Sequence, residues 1–279
     1  NVSSYTTNRT EFIGRNGSLH APSALKRIRL GGTIGANLDS CFAIQSVVEI
    51  NPSDEVEIVV LLGEGTDLND VKQLIDQYGS KRKAKEAFIN ATNWWDSFLT
   101  TIQVETPSFE TNIFINRWMM YQNLSCRIWG RTAFYQSGGA FGFRDQLQDV
   151  SALILHDPEL TKRQILLSAS RQFIEGDVQH WWHPPSGNGV RTRITDDLLW
   201  LPLVTALYIR VTGDYSILNI EIPFIEGRVL EPSEHEIYLP PTLSKEKSSL
   251  LDHCKRAIDL SLRFGKHGMP LIGGGDWND

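Results

Sequence analysis

The residue types best suited to chemistry stand near the end of the sequence, where three glycines precede Asp276, Trp277 and Asp279. Glycine lets the backbone approach a ligand closely, and a tryptophan beside carboxylates places a flat apolar ring next to an acid. A sugar ring matches that pair, because its C–H face stacks on the indole while its hydroxyls hydrogen-bond to the carboxylates. A turn with a capping aspartate and a core tryptophan is the structural alternative, and spacing alone favours it.

A second polar group occupies positions 143–149, in the sequence Phe-Arg-Asp-Gln-Leu-Gln-Asp. If a helix begins there, Asp145, Gln148 and Asp149 are three to four residues apart and share one face, with Arg144 beside them. Such a face offers several hydrogen-bonding groups to one polar ligand. A capping aspartate with a surface salt bridge explains the same spacing equally well.

A third group lies in residues 177–193, which combine aromatic side chains, amides and arginines. This composition resembles the rim of a carbohydrate site more than a packed connector, and its candidate binding residues are His180, Trp181, Arg191 and Arg193. His180 and His183 lack a matching set of further ligands, so no metal site is expected. The sequence also contains no Ser-His-Asp ordering and no phosphate-binding Walker loop.

The elements that must position these residues change in type along the chain. Residues 41–50 and 56–62 are apolar and β-branched, and the turn sequence Asn51-Pro52-Ser53-Asp54 between them predicts two strands of an all-β region. Residues 67–77 and 81–99 have apolar side chains at helical spacing and are predicted to be connecting helices.

Everything after Pro107 repeats a pattern of helix, loop and helix. Recurring helix pairs with long polar loops favour an α/α toroid of which this chain holds the first half; an irregular α-solenoid is the alternative, but no fixed period supports it. The predicted helices cover residues 108–129, 145–156, 159–174, 196–211 and 245–264.

Composition narrows the classes of partner and compartment. The 279 residues include 33 acidic and 27 basic side chains, for a net charge of −6, which disfavours nucleic acid as a partner. No apolar stretch is long enough to span a bilayer. Cys41, Cys126 and Cys254 are odd in number and far apart, which indicates a reducing compartment and predicts a cytoplasmic protein. Because the chain starts without Met and stops inside a glycine-rich run, we expect a piece of a longer protein that lacks turnover alone.

Taken together, the motifs resemble glycoside hydrolase family 94, the inverting disaccharide and oligosaccharide phosphorylases. The four segments that support the resemblance are residues 131–135, 142–149, 196–201 and 274–279. Further segments are most similar to the branch that acts on β-1,2-glucans, namely residues 121–122, 126–129, 138–141, 180–182 and 190–193. The resemblance implies the end of an N-terminal β-sandwich over residues 1–65, linker helices over 66–106, and the first part of an (α/α)6 barrel over 107–279.

The resemblance also implies roles for individual residues. Asp279 is similar in position to the general acid of the family, while Trp277, Asp145, Arg144 and Arg131 match residues around the sugar that loses its glycosidic bond. The further substrate-binding candidates are Gln148, Asp276, His180, Trp181, Arg191 and Arg193. The sequence departs from cellobiose- and chitobiose-specific members at Gly138-Gly139-Ala140, where those carry a phosphate-binding arginine, and the other phosphate ligands of the family lie beyond residue 279.

The implied reaction is phosphorolysis of β-1,2-glucooligosaccharides to α-glucose 1-phosphate, with phosphate as co-substrate and with no cofactor or metal. Phosphate needs no base to activate it, so one acid, Asp279, is enough, and we expect burial and Asp276 to raise its pKa. Three alternatives stay open: the chain-length-controlling region of a cyclic β-1,2-glucan synthase, a non-catalytic β-glucan-binding module that uses Trp181, Trp182 and Trp277, and an inverting hydrolase. The sequence also leaves open whether the full-length protein is a homodimer.

Overall fold

The computed structural model describes residues 2–130, 138–271 and 273. The chain forms two compact units, residues 1–87 and 88–279, and each is described by itself. The second unit holds the candidate site residues at positions 144 to 193.

The first unit is built around an antiparallel pair of strands, β1 (Val2–Asn8) and β2 (Ser40–Ser46). Asn8 ends β1 and starts the short helix α1 (Arg9–Ile13), because its side chain accepts hydrogen bonds from the first two free N–H groups of that helix. Glu11 accepts hydrogen bonds from Thr6, Thr33 and the Gly31 N–H, and these bonds lower the pKa of Glu11. The unit also contains a 3₁₀ turn (Ser23–Lys26) and α2 (Leu68–Tyr78).

The predicted strand over residues 56–62 is wrong. This stretch is irregular in the structure, and most of its apolar side chains are exposed, Leu62 almost completely. An apolar, β-branched run forms a strand only where its N–H and C=O groups meet a partner, and in the described part of this unit β2 pairs with β1 instead.

Helices dominate the second unit, and most lie close to their predicted positions. Asp157 caps the helix that follows it, with Pro158 in the first turn, and Gly213 ends another in a left-handed conformation. The segment from Phe109 to Trp129 is continuously helical, with π-helical stretches at Phe114–Met119 and Asn123–Trp129. The helices are α3 (Lys81–Leu99), which begins in the first unit, α4 (Phe109–Ile113), α5 (Met120–Gln122), α6 (Phe143–Ser151), α7 (Pro158–Ala169), α8 (Thr195–Thr212) and α9 (Leu250–Ser261).

Three helix boundaries differ from the prediction by five residues. The helix α6 ends at Ser151, with turns over residues 152–156, and the other two boundaries lie where the chain pairs with a distant segment. Residues 245–249 belong to a strand, β8 (Thr242–Ser249), which pairs with β6 (Glu221–Glu226), so that α9 begins only at Leu250 with Ser249 as its cap. Residues 170–174 leave the helical path, and Gln172 and Phe173 instead form bridges to Val178 and Ile225. In both places pairing with a distant segment outweighs local helix propensity.

The long polar segments predicted as loops contain a four-stranded antiparallel sheet. Its strands are β3 (Phe141–Gly142), β4 (Gln179–His183), β5 (Asn188–Thr192) and β7 (Glu236–Leu239), in the order β3-β4-β5-β7. Phe141 lies opposite Trp182, and Gly142 lies opposite Trp181. Because β3 runs directly into α6, this pairing fixes the start of α6 beside β4.

The main core joins this sheet to the helices. Trp182 from β4 is buried with residues of α6, α7, α8 and α9, which include Phe143, Leu147, Leu201 and Leu250. The packing anchors the first turns of α6 and α8 at the edge of the sheet.

Candidate functional site

Arg144 and Asp145 lie in the first turn of α6, directly after β3. Gly142 caps this turn, and a Cβ built on it would lie 2.6 Å from Oδ2 of Asp145. Only glycine therefore lets the carboxylate approach the backbone so closely. The position of Asp145 in the first helical turn also favours its negative charge.

Arg144 is oriented by a carboxylate from another helix. Its Nη1 donates to Oδ2 of Asp196 in the first turn of α8, at 2.5 Å, and the Arg144 side chain is mostly buried. Charge-assisted bonds of this kind are short and directional. The contact connects the starts of α6 and α8.

The neighbouring residue, Asp197, binds a different partner. Its Oδ2 lies 2.7 Å from Nδ1 of His180 on β4, and Asp197 is 1% exposed. With the carboxylate ionised, Nδ1 is the protonated nitrogen. The first turn of α8 thus holds one side chain from α6 and one from the sheet.

The surroundings of the His180–Asp197 pair shift the pKa of both groups. Burial alone would lower the pKa of His180, but the hydrogen bond and charge of Asp197, together with the charge of Asp145, outweigh burial and raise it. Burial raises the pKa of Asp197 as well, against the opposing effect of His180. Both shifts act in the same sense, toward proton binding by the pair.

The strand that holds His180 also presents an aromatic surface. The Trp181 ring lies 5.1 Å from the ring of His183 and 5.8 Å from that of Tyr238 on β7. Side chains alternate along a strand, so Trp182 lies on the opposite face, where it is 1% exposed. Trp181 can stack on a sugar ring, whereas Trp182 is a core residue.

Arg191 and Arg193, both predicted to bind substrate, make their described contacts elsewhere. Arg191 is 1% exposed and binds both oxygens of Asp177 at 2.6 Å, with its guanidinium 4.0 Å from the ring of Phe173. Arg193 donates to backbone carbonyls of the 230–234 loop. These contacts support the four-stranded sheet and its loops. A direct role of Arg191 and Arg193 in substrate binding stays a prediction.

Two family models match separate parts of this chain. The catalytic-domain model of the glycosyl hydrolase 94 superfamily matches residues 94–279, well over half of the chain. The chain belongs to the glycosyl hydrolase 94 superfamily. A model of the supersandwich domain of glycosyl hydrolase 94 matches residues 1–81. The family resemblance predicted from the sequence is therefore confirmed.

Individual members of the family are similar to this chain to different degrees. The cyclic beta-(1,2)-glucan synthase of Rhizobium meliloti is 42% identical over 285 residues, which cover 100% of this chain and 10% of that protein. The N,N'-diacetylchitobiose phosphorylase of Vibrio proteolyticus is 25% identical over 99% of this chain and 36% of its own. The 1,2-beta-oligoglucan phosphorylase of Listeria innocua is 26% identical over 51% of this chain and 13% of its own. The chain therefore spans about a third or less of the length of these relatives.

Four of the predicted site residues, Arg131, Asp276, Trp277 and Asp279, lie outside the described residues. Gly273, just before the predicted acid segment, forms a bridge with Ile194, two residues before Asp196. Its φ is 82°, and a Cβ there would collide with the carbonyl oxygen of Arg193.

The two other polar residues predicted to share this face of α6 differ in their surroundings. Gln148 is exposed, whereas Asp149 accepts a hydrogen bond from Nε of Arg127 at 2.9 Å. Asp196 and Asp197 begin the segment 196–201 that supports the family resemblance, but no site role was predicted for them. A pair of acids at a helix start is also typical of ordinary capping.

The described part of the chain contains neither a metal-ligand cluster nor a membrane-spanning helix. Its His, Cys, Asp and Glu side chains form no group of three or more that could hold a metal ion. None of its helices is long and apolar enough to cross a membrane.

Proposed function

We propose that this chain is part of an inverting phosphorylase that acts on β-1,2-linked glucooligosaccharides and releases α-glucose 1-phosphate. The observation that supports it most is the polar cluster at the starts of α6 and α8, where Arg144 and His180 are each held by a carboxylate and Asp145 lies beside them. A dense set of oriented donors and acceptors suits a polyhydroxylated ring.

The proposed reaction needs one proton donor and one nucleophile. Asp279 gives its proton to the glycosidic oxygen as the bond from that oxygen to C1 breaks, and a phosphate oxygen forms its bond to C1 from the opposite face. Phosphate is already anionic, so no second carboxylate has to activate it. Inorganic phosphate is the co-substrate, and neither a cofactor nor a metal takes part.

The remaining substrate contacts belong to the same proposal. Trp277 and Arg131 complete the subsite of the sugar that loses its bond, together with Arg144 and Asp145. Further contacts to the oligosaccharide come from Asp276, Gln148, His180, Trp181, Arg191 and Arg193.

The proposed architecture is the end of a β-sandwich over residues 1–65, linker helices over 66–106, and the first part of an (α/α)6 barrel over 107–279. Its support is that α8 packs against α6, α7 and α9 in a helix-rich unit. The proposed location is the cytoplasm, since Cys41, Cys126 and Cys254 are unpaired. The chain alone is proposed to lack turnover, and a homodimer of the full-length protein is part of the proposal.

The names of two relatives support β-1,2-glucan as the substrate. One relative is a cyclic beta-(1,2)-glucan synthase and the other is a 1,2-beta-oligoglucan phosphorylase. The same support extends to a second candidate, the chain-length-controlling phosphorylase region of a cyclic glucan synthase. The length of the natural gene distinguishes the two. A non-catalytic binding module is less favoured, because Trp182 is buried and cannot serve as a sugar platform.

The experiment that tests the acid assignment is Asp279→Asn in the full-length protein. Loss of the proton donor is expected to lower kcat for phosphorolysis by about 100- to 10,000-fold. Asp214→Asn is the matched control, because Asp214 binds Lys162 and caps a 3₁₀ turn outside the cluster. Near-normal phosphorolysis by the Asp279→Asn protein would show that another group supplies the proton.

A further inference from the structure

We propose that Asp196 and Asp197 are positioning residues, which orient Arg144 and His180 for binding the glucosyl residue. This inference rests on the proposed function and deepens it. Arg144 and His180 come from a helix and a strand that are far apart in sequence. The first turn of α8 is the element that contacts both.

Helix geometry explains how two adjacent residues serve two different elements. Consecutive side chains of an α-helix are rotated by about 100° around its axis. Asp196 can therefore bind Arg144 on α6, while Asp197 binds His180 on β4. A single acid at this helix start would satisfy the helix dipole but would hold only one of the two partners.

The unused oxygens of these carboxylates separate them from structural ion pairs. Within the part of the chain that the structure describes, Oδ1 of Asp196 and Oδ1 of Asp197 are both buried without a hydrogen-bond partner. Asp177, by contrast, has both oxygens bound by Arg191, and Asp214 has both bound by Lys162, Ser216 and Tyr208. Buried polar atoms are normally satisfied, so two adjacent exceptions indicate a place for a further donor, such as a substrate hydroxyl or a bridging water.

Asp197 also controls what His180 offers to a ligand. Because Nδ1 is bound to Asp197, His180 contacts a substrate only through Nε2, which is a donor in the imidazolium form and an acceptor in the neutral form. The raised pKa of His180 keeps Nε2 protonated further toward neutral pH. Loss of the Asp197 charge removes that effect.

The test compares Asp196→Asn and Asp197→Asn with Asp214→Asn in the full-length protein. Each of the first two substitutions is expected to lower kcat/KM for phosphorolysis by roughly 10- to 100-fold, and Asp197→Asn to move the basic limb of the pH profile to lower pH. Asp214→Asn is expected to lower the melting temperature while leaving kcat/KM within twofold. Unchanged kcat/KM in both site variants of an active protein would overturn the proposal.

A double-mutant cycle tests whether Asp196 acts through Arg144. In an Arg144→Ala background, Asp196→Asn is expected to have almost no further effect on kcat/KM, whereas an undiminished effect would contradict a positioning role. If Asp197→Asn does not fold, His180→Asn replaces it, because the amide can keep the contact at the Nδ1 position while Nε2 is lost. Near-normal kcat/KM in a folded His180→Asn protein would overturn the role of His180.

Binding of β-1,2-glucooligosaccharide without phosphate, measured by calorimetry, separates this proposal from the proposed function. A wild-type protein that binds the sugar but releases no α-glucose 1-phosphate overturns phosphorolysis alone. The positioning role is then supported if Asp196→Asn and Asp197→Asn weaken binding at least tenfold, and it is overturned if they do not. Absence of sugar binding by the wild-type protein would overturn both.

Discussion

At Gly142 the absence of a side chain lets the Asp145 carboxylate lie close to the backbone. A Cβ at this position would lie 2.6 Å from the Asp145 carboxylate and would push it away from the start of α6. Gly142→Ala is therefore expected to reduce kcat/KM about 10- to 100-fold in the full-length protein, with a small change in melting temperature. Gly63→Ala is the control, since a Cβ there meets nothing within 4 Å. Equal activity in the two variants would mean that the placement of Asp145 is not critical.

Arg191 gives a test between a structural and a substrate-binding role. Its removal leaves the carboxylate of Asp177 largely buried without a partner, so Arg191→Ala is expected to lower the free energy of unfolding by about 3–5 kcal/mol. Denaturant titration measures this change. Arg144→Ala is expected to lower kcat/KM more and stability less. Wild-type stability in a poorly binding Arg191→Ala protein would favour direct contact with substrate.

At this scale the sequence predicted part of the site and missed its supports. Arg144, Asp145 and His180 were identified because their types suit sugar recognition, and the structure places them together. Asp196 and Asp197 were not, since their partners lie 52 and 17 positions away in sequence. Spacing rules detect neighbours on one element and cannot reveal contacts made only by the folded chain.

Among the elements, α9 contains a buried histidine that links stability to pH. Nε2 of His253 donates to the carbonyl oxygen of Ile222 at 3.0 Å, its ring stacks on Phe224, and its Nδ1 is buried without a partner. Burial lowers the pKa of His253 below its ordinary value, despite the hydrogen bond to Ile222. Protonation of Nδ1 would create a buried N–H donor that has no acceptor among the described residues.

The direction of the pH effect follows from that shift. Between the folded pKa and the ordinary value of about 6.5, the unfolded chain binds the proton more readily, so stability is unaffected above this range and falls as pH drops through it. Unfolding of the full-length protein, monitored from pH 7.5 to 5, is expected to show this loss. His253→Gln keeps a donor for Ile222 and is expected to flatten the profile. An identical slope in both proteins would contradict the assignment.

Helices were predicted correctly where the apolar periodicity and the capping residues agreed. Prediction failed where pairing between distant strands determines the structure. The helices α2, α3 and α8 were predicted within about a residue, with Asp67 and Gly213 as end signals. The sheet β3-β4-β5-β7 was missed because its strands are short and polar, and residues 245–249 were assigned to a helix because charged residues suit either state. Strand pairing between distant segments is not encoded in local composition.

For the whole molecule, the ordered motifs predicted the family over nearly the full chain, and the two family models match residues 1–81 and 94–279. The barrel closure and the reaction stay predictions, because the proposed general acid, Asp279, lies outside the described residues and the chain spans only 10% to 36% of three of its relatives. Activity is therefore a property to be measured on the full-length protein.

The most direct measurement incubates that protein with β-1,2-glucooligosaccharides, with and without inorganic phosphate, and follows the products by NMR. An inverting phosphorylase is expected to release α-glucose 1-phosphate only when phosphate is present. Free glucose formed at the same rate without phosphate would contradict phosphorolysis and indicate a hydrolase. Absence of any product would contradict the proposed activity on this linkage.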